Sequence, residues 1–203
     1  MSDLRITGAE VFVVPAGAQR QPVLRLHTDA GVTGLGEAAV GFAIGALGAA
    51  GMIEDLVNHL ILGQDPFAVE HLWQEMYDHS FWAKGGGSVT FAAISAIETA
   101  LLDIKGKALG LPVYELIGGK CRDTLRTYCN GWSFTARSPE EFADAARRVI
   151  DQGWTALKMY PLANPKTAND SFTTVRHVSG RHLERAEATL AVARVAAVRR
   201  AIG

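Results

Sequence analysis

The chain is poor in cysteine, with Cys121 and Cys129 the two among 203 residues. Two thiols make no disulfide framework, and no C-x-x-C spacing suggests a zinc site. The expectation is a pair of reduced thiols in a cytoplasmic protein. An excess of either charge is also missing: 20 Lys and Arg meet 21 Asp and Glu, for a net charge of -1. Nucleic-acid binders carry a basic excess, so no nucleic acid is expected as a partner. Met1-Ser2-Asp3-Leu4-Arg5 lacks the basic start and apolar run of a signal peptide. The most apolar stretch, Val40 to Met52, is rich in Gly and Ala. It falls short of the about 20 residues that span a bilayer, so no membrane association is expected. Internal repeats and low-complexity tracts are absent. Gly85-Gly86-Gly87 is followed by no Lys-Ser/Thr pair in P-loop register, and reads as a hinge entering a helix.

What is present is an ordinary globular composition, 48% hydrophobic and 20% charged, with room for two small domains. Alternating apolar residues predict strands over Leu4–Pro15, Pro22–Thr28 and Val32–Ala38, forming an antiparallel meander. Ala16 to Gln21 reads as a polar loop between the first two. Gly34 and Gly36 fall inside the third strand, where glycine marks a bulge or a close backbone approach.

Helices are predicted next. Ile44 to Leu62 is the first, weakened by Gly45, Gly48 and Gly51. The second starts at Asp65-Pro66, an acidic N-cap with proline at N1, and buries Val69, Leu72, Trp73 and Met76. The third, capped by Ser88, runs to about Leu109 and buries Ile94, Ile97, Leu101, Ile104 and Ala108. Asp103 and Lys107 make an i,i+4 pair on it. Gly110 is its C-cap glycine.

Beyond residue 122 the pattern changes to strand, helix, strand, helix. Thr124–Cys129 is a predicted strand. Ser138-Pro139-Glu140-Glu141 is a capping box opening a helix that buries Phe142, Ala145, Ala146, Val149 and Ile150, and Gly153 ends it. Trp154–Tyr160 is a second strand, Pro161–Gly180 a long polar loop of the kind that is usually functional or disordered, and His182–Ile202 a last amphipathic helix.

The segment Ser95-Ala96-Ile97-Glu98-Thr99-Ala100-Leu101-Leu102-Asp103-Ile104-Lys105-Gly106-Lys107-Ala108-Leu109-Gly110-Leu111-Pro112 and its continuation Val113 to Lys120 resemble the hinge helix and turn of the enolase superfamily. The similarity is strongest to the mandelate racemase/muconate lactonizing enzyme branch, which includes acid-sugar dehydratases. Gly31-Val32-Thr33-Gly34-Leu35-Gly36-Glu37-Ala38 and Asp65-Pro66 resemble the same branch, and the likeness covers residues 4–160 in order. It implies an α+β fold: residues 1–122 as an N-terminal capping domain, a three-stranded antiparallel meander plus helices. Residues 123–203 would be the first two βα units of a modified TIM-type β/α barrel, incomplete because such a barrel needs eight strands.

The resemblance also implies a chemistry. A carboxylate anion, most simply a sugar acid, is bound to Mg²⁺, and a base removes the proton α to its carboxylate. The metal ligands belong to the third to fifth barrel strands, so none is expected among these residues, and a His-Asp base is expected later still. Copies of such chains commonly assemble as homo-oligomers. Lys158-Met159-Tyr160 lies where the family often carries Lys-x-Lys at the end of the second barrel strand. Alternation along a strand puts Trp154, Ala156, Lys158 and Tyr160 on one face, the natural choice for the barrel interior. Lys158 and Tyr160 are therefore the catalytic candidates.

Tyrosine at 160 departs from the second lysine. Racemisation needs two bases on opposite faces, whereas dehydration needs one base and an acid for the leaving hydroxyl. A tyrosine suits that acid or a hydrogen-bond donor better than a base. The first expectation is thus a dehydratase giving a 2-keto-3-deoxy acid. A racemase, epimerase or cycloisomerase of the same superfamily is the alternative, and a non-catalytic interaction module is a third. Arg20, where the family's lid lies, and Trp82 and Lys84, before the hinge helix, are candidate substrate contacts. Glu37 and Glu98 read as structural carboxylates, and His177 and His182 are poorly spaced for zinc.

Overall fold

The computed structural model describes residues 3–16, 19–41, 44–80, 87–164, 176–177 and 183–203. The chain divides into two units, Met1–Cys121 and Arg122–Gly203.

In the first unit β1 (Ile6–Ala16), β2 (Gln19–Thr28) and β3 (Thr33–Glu37) form an antiparallel sheet in the order β1-β2-β3. The expected loop at 16–21 is shorter than its composition suggested. The ladder continues through Pro15 opposite Arg20 and Ala16 opposite Gln19, so cross-strand pairing overrides the weak strand preference of these residues. Helix α1 (Ala46–Leu56) runs on into a π-helical turn at Val57–Ile61. Helix α2 (Val69–His79) begins later than its proline signal. The Asp65 carboxylate accepts from the Phe67 N–H at 3.0 Å, so Asp65-Pro66 builds a turn ahead of the helix instead of its first residues. Helix α3 spans Ser88–Leu109 and ends on Gly110 at φ 67°, the left-handed conformation glycine adopts at no cost. A single turn, α4 (Val113–Leu116), follows.

The sheet lies directly on α3. A Cβ at Gly34 would overlap the carbonyl oxygen of Ala100, and one at Gly36 that of Ala96. The two glycines thus mark a close approach of strand backbone to helix backbone. Leu24 and Leu26 of β2 then meet Ile94, Ile97, Leu101 and Ile104 of α3 and Ile53 of α1 in one buried cluster. Ala108 is exposed, contrary to its place in the predicted stripe. At that end the helix buries Gly106 instead, against the carbonyl of Leu111. The outer edge of β3 is also occupied by α3. Asp103 accepts from the Leu35 N–H at 2.9 Å, and Lys107 donates to the Thr33 carbonyl at 2.8 Å and to Asp103 at 2.7 Å.

In the second unit α5 (Pro139–Asp151) carries the predicted capping box. Ser138 accepts from the Glu141 N–H at 3.2 Å, and the Glu141 carboxylate accepts from the Ser138 N–H at 3.1 Å. Phe142, Ala145, Ala146 and Val149 are buried as expected, whereas Ile150 at the last turn is partly exposed. The two expected strands shrink to a parallel bridge between Cys129 and Leu157. It is held by Cys129 N–H to the Ala156 carbonyl and Lys158 N–H to the Cys129 carbonyl, both 2.9 Å. Parallel ladders are sustained by cover on both faces, and here Leu125 is 77% exposed, so pairing does not spread beyond the bridge. Within the long loop, β4 (Ala163–Asn164) and β5 (Arg176–His177) pair over two residues each. Helix α6 (Arg185–Ile202) packs on α5. Among the described residues no helix is long and apolar enough to cross a membrane.

The glycines give a paired test. Gly36→Ala is expected to cost about 3 kcal/mol or more, because the obstructing atom is backbone and cannot swing aside. Gly51→Ala, mid-helix with nothing within 4 Å, is expected to stabilise by about 0.5–1 kcal/mol. Urea denaturation of the two variants checks both signs, and equal effects would refute the close approach.

Candidate functional site

The bridge at Leu157 fixes which way its neighbours face. Leu157 and Met159 pack on the helix side, against a cluster of Ala136, Phe142, Ala146 and Val198 that Trp132 and Ile202 flank. Alternation sends Lys158 and Tyr160 to the opposite face, together with Tyr128 from the segment before the bridge. The Lys158 ammonium lies 5.1 Å from the Tyr160 ring centroid and 6.0 Å from that of Tyr128. Its hydrogen bond with the Tyr160 side chain, then the phenolic charge of Tyr160 and of Tyr128, raises the Lys158 amine above its ordinary value. The amine is exposed and stays protonated at neutral pH. It is a fixed positive charge and a donor, not a ready base.

The backbone bearing this pair is held from two sides. The Trp132 indole N–H donates to the Lys158 carbonyl at 2.8 Å. Arg194 of α6, 3% exposed, donates to the Pro161 carbonyl and the Arg137 carbonyl, each at 2.7 Å. Its guanidinium lies 5.0 Å from the Phe142 ring centroid. The Tyr160 ring also rests 6.0 Å from that of Phe134, across the loop before α5. An exposed lysine thus shares a surface with Tyr128 and Tyr160, and Phe134 flanks Tyr160. Such a surface offers charge and hydrogen bonds to an anionic, hydroxylated ligand.

The other expected site residues fall elsewhere. Arg20 is on β2 of the first unit, opposite Pro15, and its N–H donates to the Gly41 carbonyl at 2.8 Å. Trp82, Lys84 and His182 lie outside the described residues, and His177 is on β5. Glu98, half-buried on α3, has its carboxyl raised above the ordinary range by burial and then by the charge of Glu70. Among the described residues no three His, Cys, Asp or Glu side chains converge to hold a metal ion. They do not fit a Mg²⁺ site. Tyr128, Trp132 and Arg194 were missed from sequence. Tyr128 was findable by parity with Lys158 across the bridge, and Arg194 as a cation inside the apolar stripe of Ala191, Ala197 and Val198.

Residues 10–118 match the family model of the mandelate racemase/muconate lactonizing enzyme N-terminal domain. The chain belongs to that family. It is 42% identical over 156 residues to a D-galactonate dehydratase of Verminephrobacter eiseniae, an alignment covering 77% of this chain and 38% of that protein. It is 36% identical over 155 residues to a D-mannonate dehydratase of Rhizorhabdus wittichii, covering 76% and 37%. Among solved structures, an enolase-superfamily member from Salmonella Typhimurium matches with a TM-score of 0.87 and 33% identity, over 98% of this chain and 52% of that one. A protein from Mesorhizobium loti matches at 0.90 and 48%, over 98% and 51%. The chain therefore spans about half the length of these solved relatives and less of the curated ones. The architecture is that of the family's α+β capping domain followed by barrel elements, with the barrel incomplete over this span.

The capping box yields a pH test. The backbone N–H of Arg137, then that of Ser138, holds the Glu141 carboxyl below its ordinary value of 4.5, with the charges of Arg137 and Arg194 adding to the effect. A lowered folded value means stabilisation that is complete above the unfolded value and fades as the pH falls through the folded one. Wild type is expected to melt above Glu141→Gln at neutral pH, with the gap narrowing steadily in acid. Melting curves followed by tryptophan fluorescence read this, and a gap independent of pH would contradict the assignment.

Proposed function

We propose that this chain is part of an enzyme that dehydrates a sugar acid to a 2-keto-3-deoxy acid. The supporting observation is the Lys158–Tyr160 pair, presented on one face of the second parallel segment in a chain whose curated relatives are named D-galactonate and D-mannonate dehydratases. Residues 1–122 are assigned as the capping domain and 123–203 as the opening of the barrel.

The reaction removes a proton from C2 and hydroxide from C3, leaving an enol that tautomerises to the ketone. Lys158, held protonated, supplies fixed positive charge to the oxygens of the anion. Tyr160 stands beside it as the hydrogen-bond donor or acid that protonates the departing C3 hydroxyl, which leaves as water. The tyrosine is replenished from solvent or through Lys158. The base for C2 lies outside this pair. Arg20, Trp82 and Lys84 are assigned to contacts with the sugar acid's carboxylate and hydroxyls. Mg²⁺ is assigned to the longer enzyme, through carboxylates of later barrel strands. Nothing that Lys158 or Tyr160 does here is routed through it.

The test is a panel of sugar acids incubated with the protein carrying its whole barrel, with and without Mg²⁺, reading ketone formation. Tyr160→Phe and Lys158→Met are each expected to lower kcat by about 10²–10⁴-fold with unchanged circular dichroism. Full turnover in Tyr160→Phe would remove that residue from the chemistry. Exchange of the C2 proton in D₂O without ketone would move the reaction to racemisation.

A further inference from the structure

A buried arginine fixes the backbone next to the candidate pair. Arg194 is the charged residue on an otherwise small and apolar face of α6, with Ala191, Ala197 and Val198 buried around it. Burying a guanidinium is costly unless its donors are taken up. Here they are spent on backbone at two separate places. Nε donates to the Arg137 carbonyl and Nη1 to the Pro161 carbonyl. Arg137 precedes the N-cap of α5, and its own N–H donates to Glu141 at 2.6 Å. Pro161 directly follows Tyr160. The Trp132 indole takes the carbonyl of Lys158 on the other side, so Tyr160 is bracketed by two carbonyl tethers three residues apart.

Desolvation by burial lowers the Arg194 guanidinium from its ordinary value, and the Glu141 charge partly offsets this. The group nonetheless stays charged. The planar fork matters, because two carbonyls on different loops are met by two nitrogens set at a fixed angle. An ammonium is a point donor on a flexible stem and lacks that geometry.

We propose that Arg194 is a positioning residue for the Lys158–Tyr160 pair, locking the Pro161 carbonyl to the loop before α5 and so aiming the Tyr160 ring at the Lys158 ammonium. It rests on the assignment of that pair to the reaction, but its test reads ring position and not turnover.

The experiment is NMR on the 203-residue chain with isotope-labelled tyrosine rings and lysine side chains, assigned through Lys158→Arg and Tyr160→Phe. Wild type should show a nuclear Overhauser effect between the Lys158 ε-methylene and the Tyr160 ring. It should also show an Arg194 Nε proton protected from exchange. Arg194→Met is expected to lose the Overhauser effect, and Arg194→Lys to keep only part of it. Val198→Ala thins the same packed cluster without touching either carbonyl. It is expected to lower Tm and leave the effect intact. Retention of the effect in Arg194→Met, or an equal loss in Val198→Ala, would overturn the proposal. Should Arg194→Met not fold, Arg194→Lys decides: an unchanged ring position with α6 signals in place refutes it. Failure here leaves the catalytic assignment standing, since that is read separately by turnover of the Tyr160 and Lys158 variants.

Discussion

The contact of two bare backbones organises the first unit. Where β3 crosses α3 the backbones meet almost directly, because Gly34 and Gly36 sit on the carbonyls of Ala100 and Ala96, with the Ile104 side chain also against Gly34. The usual separation of sheet and helix is set by side chains, and here it collapses at one strand. Beside that contact Leu24 and Leu26 pack against the apolar face of α3 and Ile53 of α1. Dispersion and water exclusion then follow from the close approach, since packed interiors gain from every atom brought into contact. The nearest obstructing atoms belong to the main chain, so no replacement on α3 makes room for a side chain at Gly34 or Gly36. The two glycine positions are tied to the placement of the helix as a whole.

The second unit is organised by polar tethers. Its apolar cluster around Phe142 is small, and the segment with Lys158 and Tyr160 gains little from strand pairing. Instead, an indole and a guanidinium hold its carbonyls. Hydrogen bonds from a buried charged donor are directional and strong, which suits a backbone that must present side chains at set positions. The cost is a buried charge. It is offset by two carbonyls, by the Phe142 ring and by the nearby Glu141 carboxylate.

Local signals in the sequence carried much of this. Ser138-Pro139-Glu140-Glu141 states a helix start in four residues, and Gly110 states a helix end, because both depend on neighbours in the chain. The small residues of β3 signalled a close approach without saying to what. Signals that depend on distant partners were not legible. Asp65-Pro66 looks the same whether it opens a helix or a turn, and only the Phe67 N–H tells them apart. Arg20 reads as loop until Pro15 is placed opposite it. The candidate site divided in the same way. Lys158 and Tyr160 share a face by parity alone, whereas Arg194 meets Arg137 across 57 positions that no periodicity connects.

The Asp103–Lys107 pair has a consequence beyond its ionic contact. By taking the Leu35 N–H and the Thr33 carbonyl, it leaves β3 no ladder to offer at those positions. The sheet is therefore polar in its capacity to grow: one margin meets a helix at those positions, and the other is the long strand β1, whose Ile6 end is already paired with Gly63 and Gln64. A stray strand met during synthesis or crowding is therefore turned away from β3 at Thr33 and Leu35, and among the described residues outward growth of the sheet is left to β1 beyond Ile6.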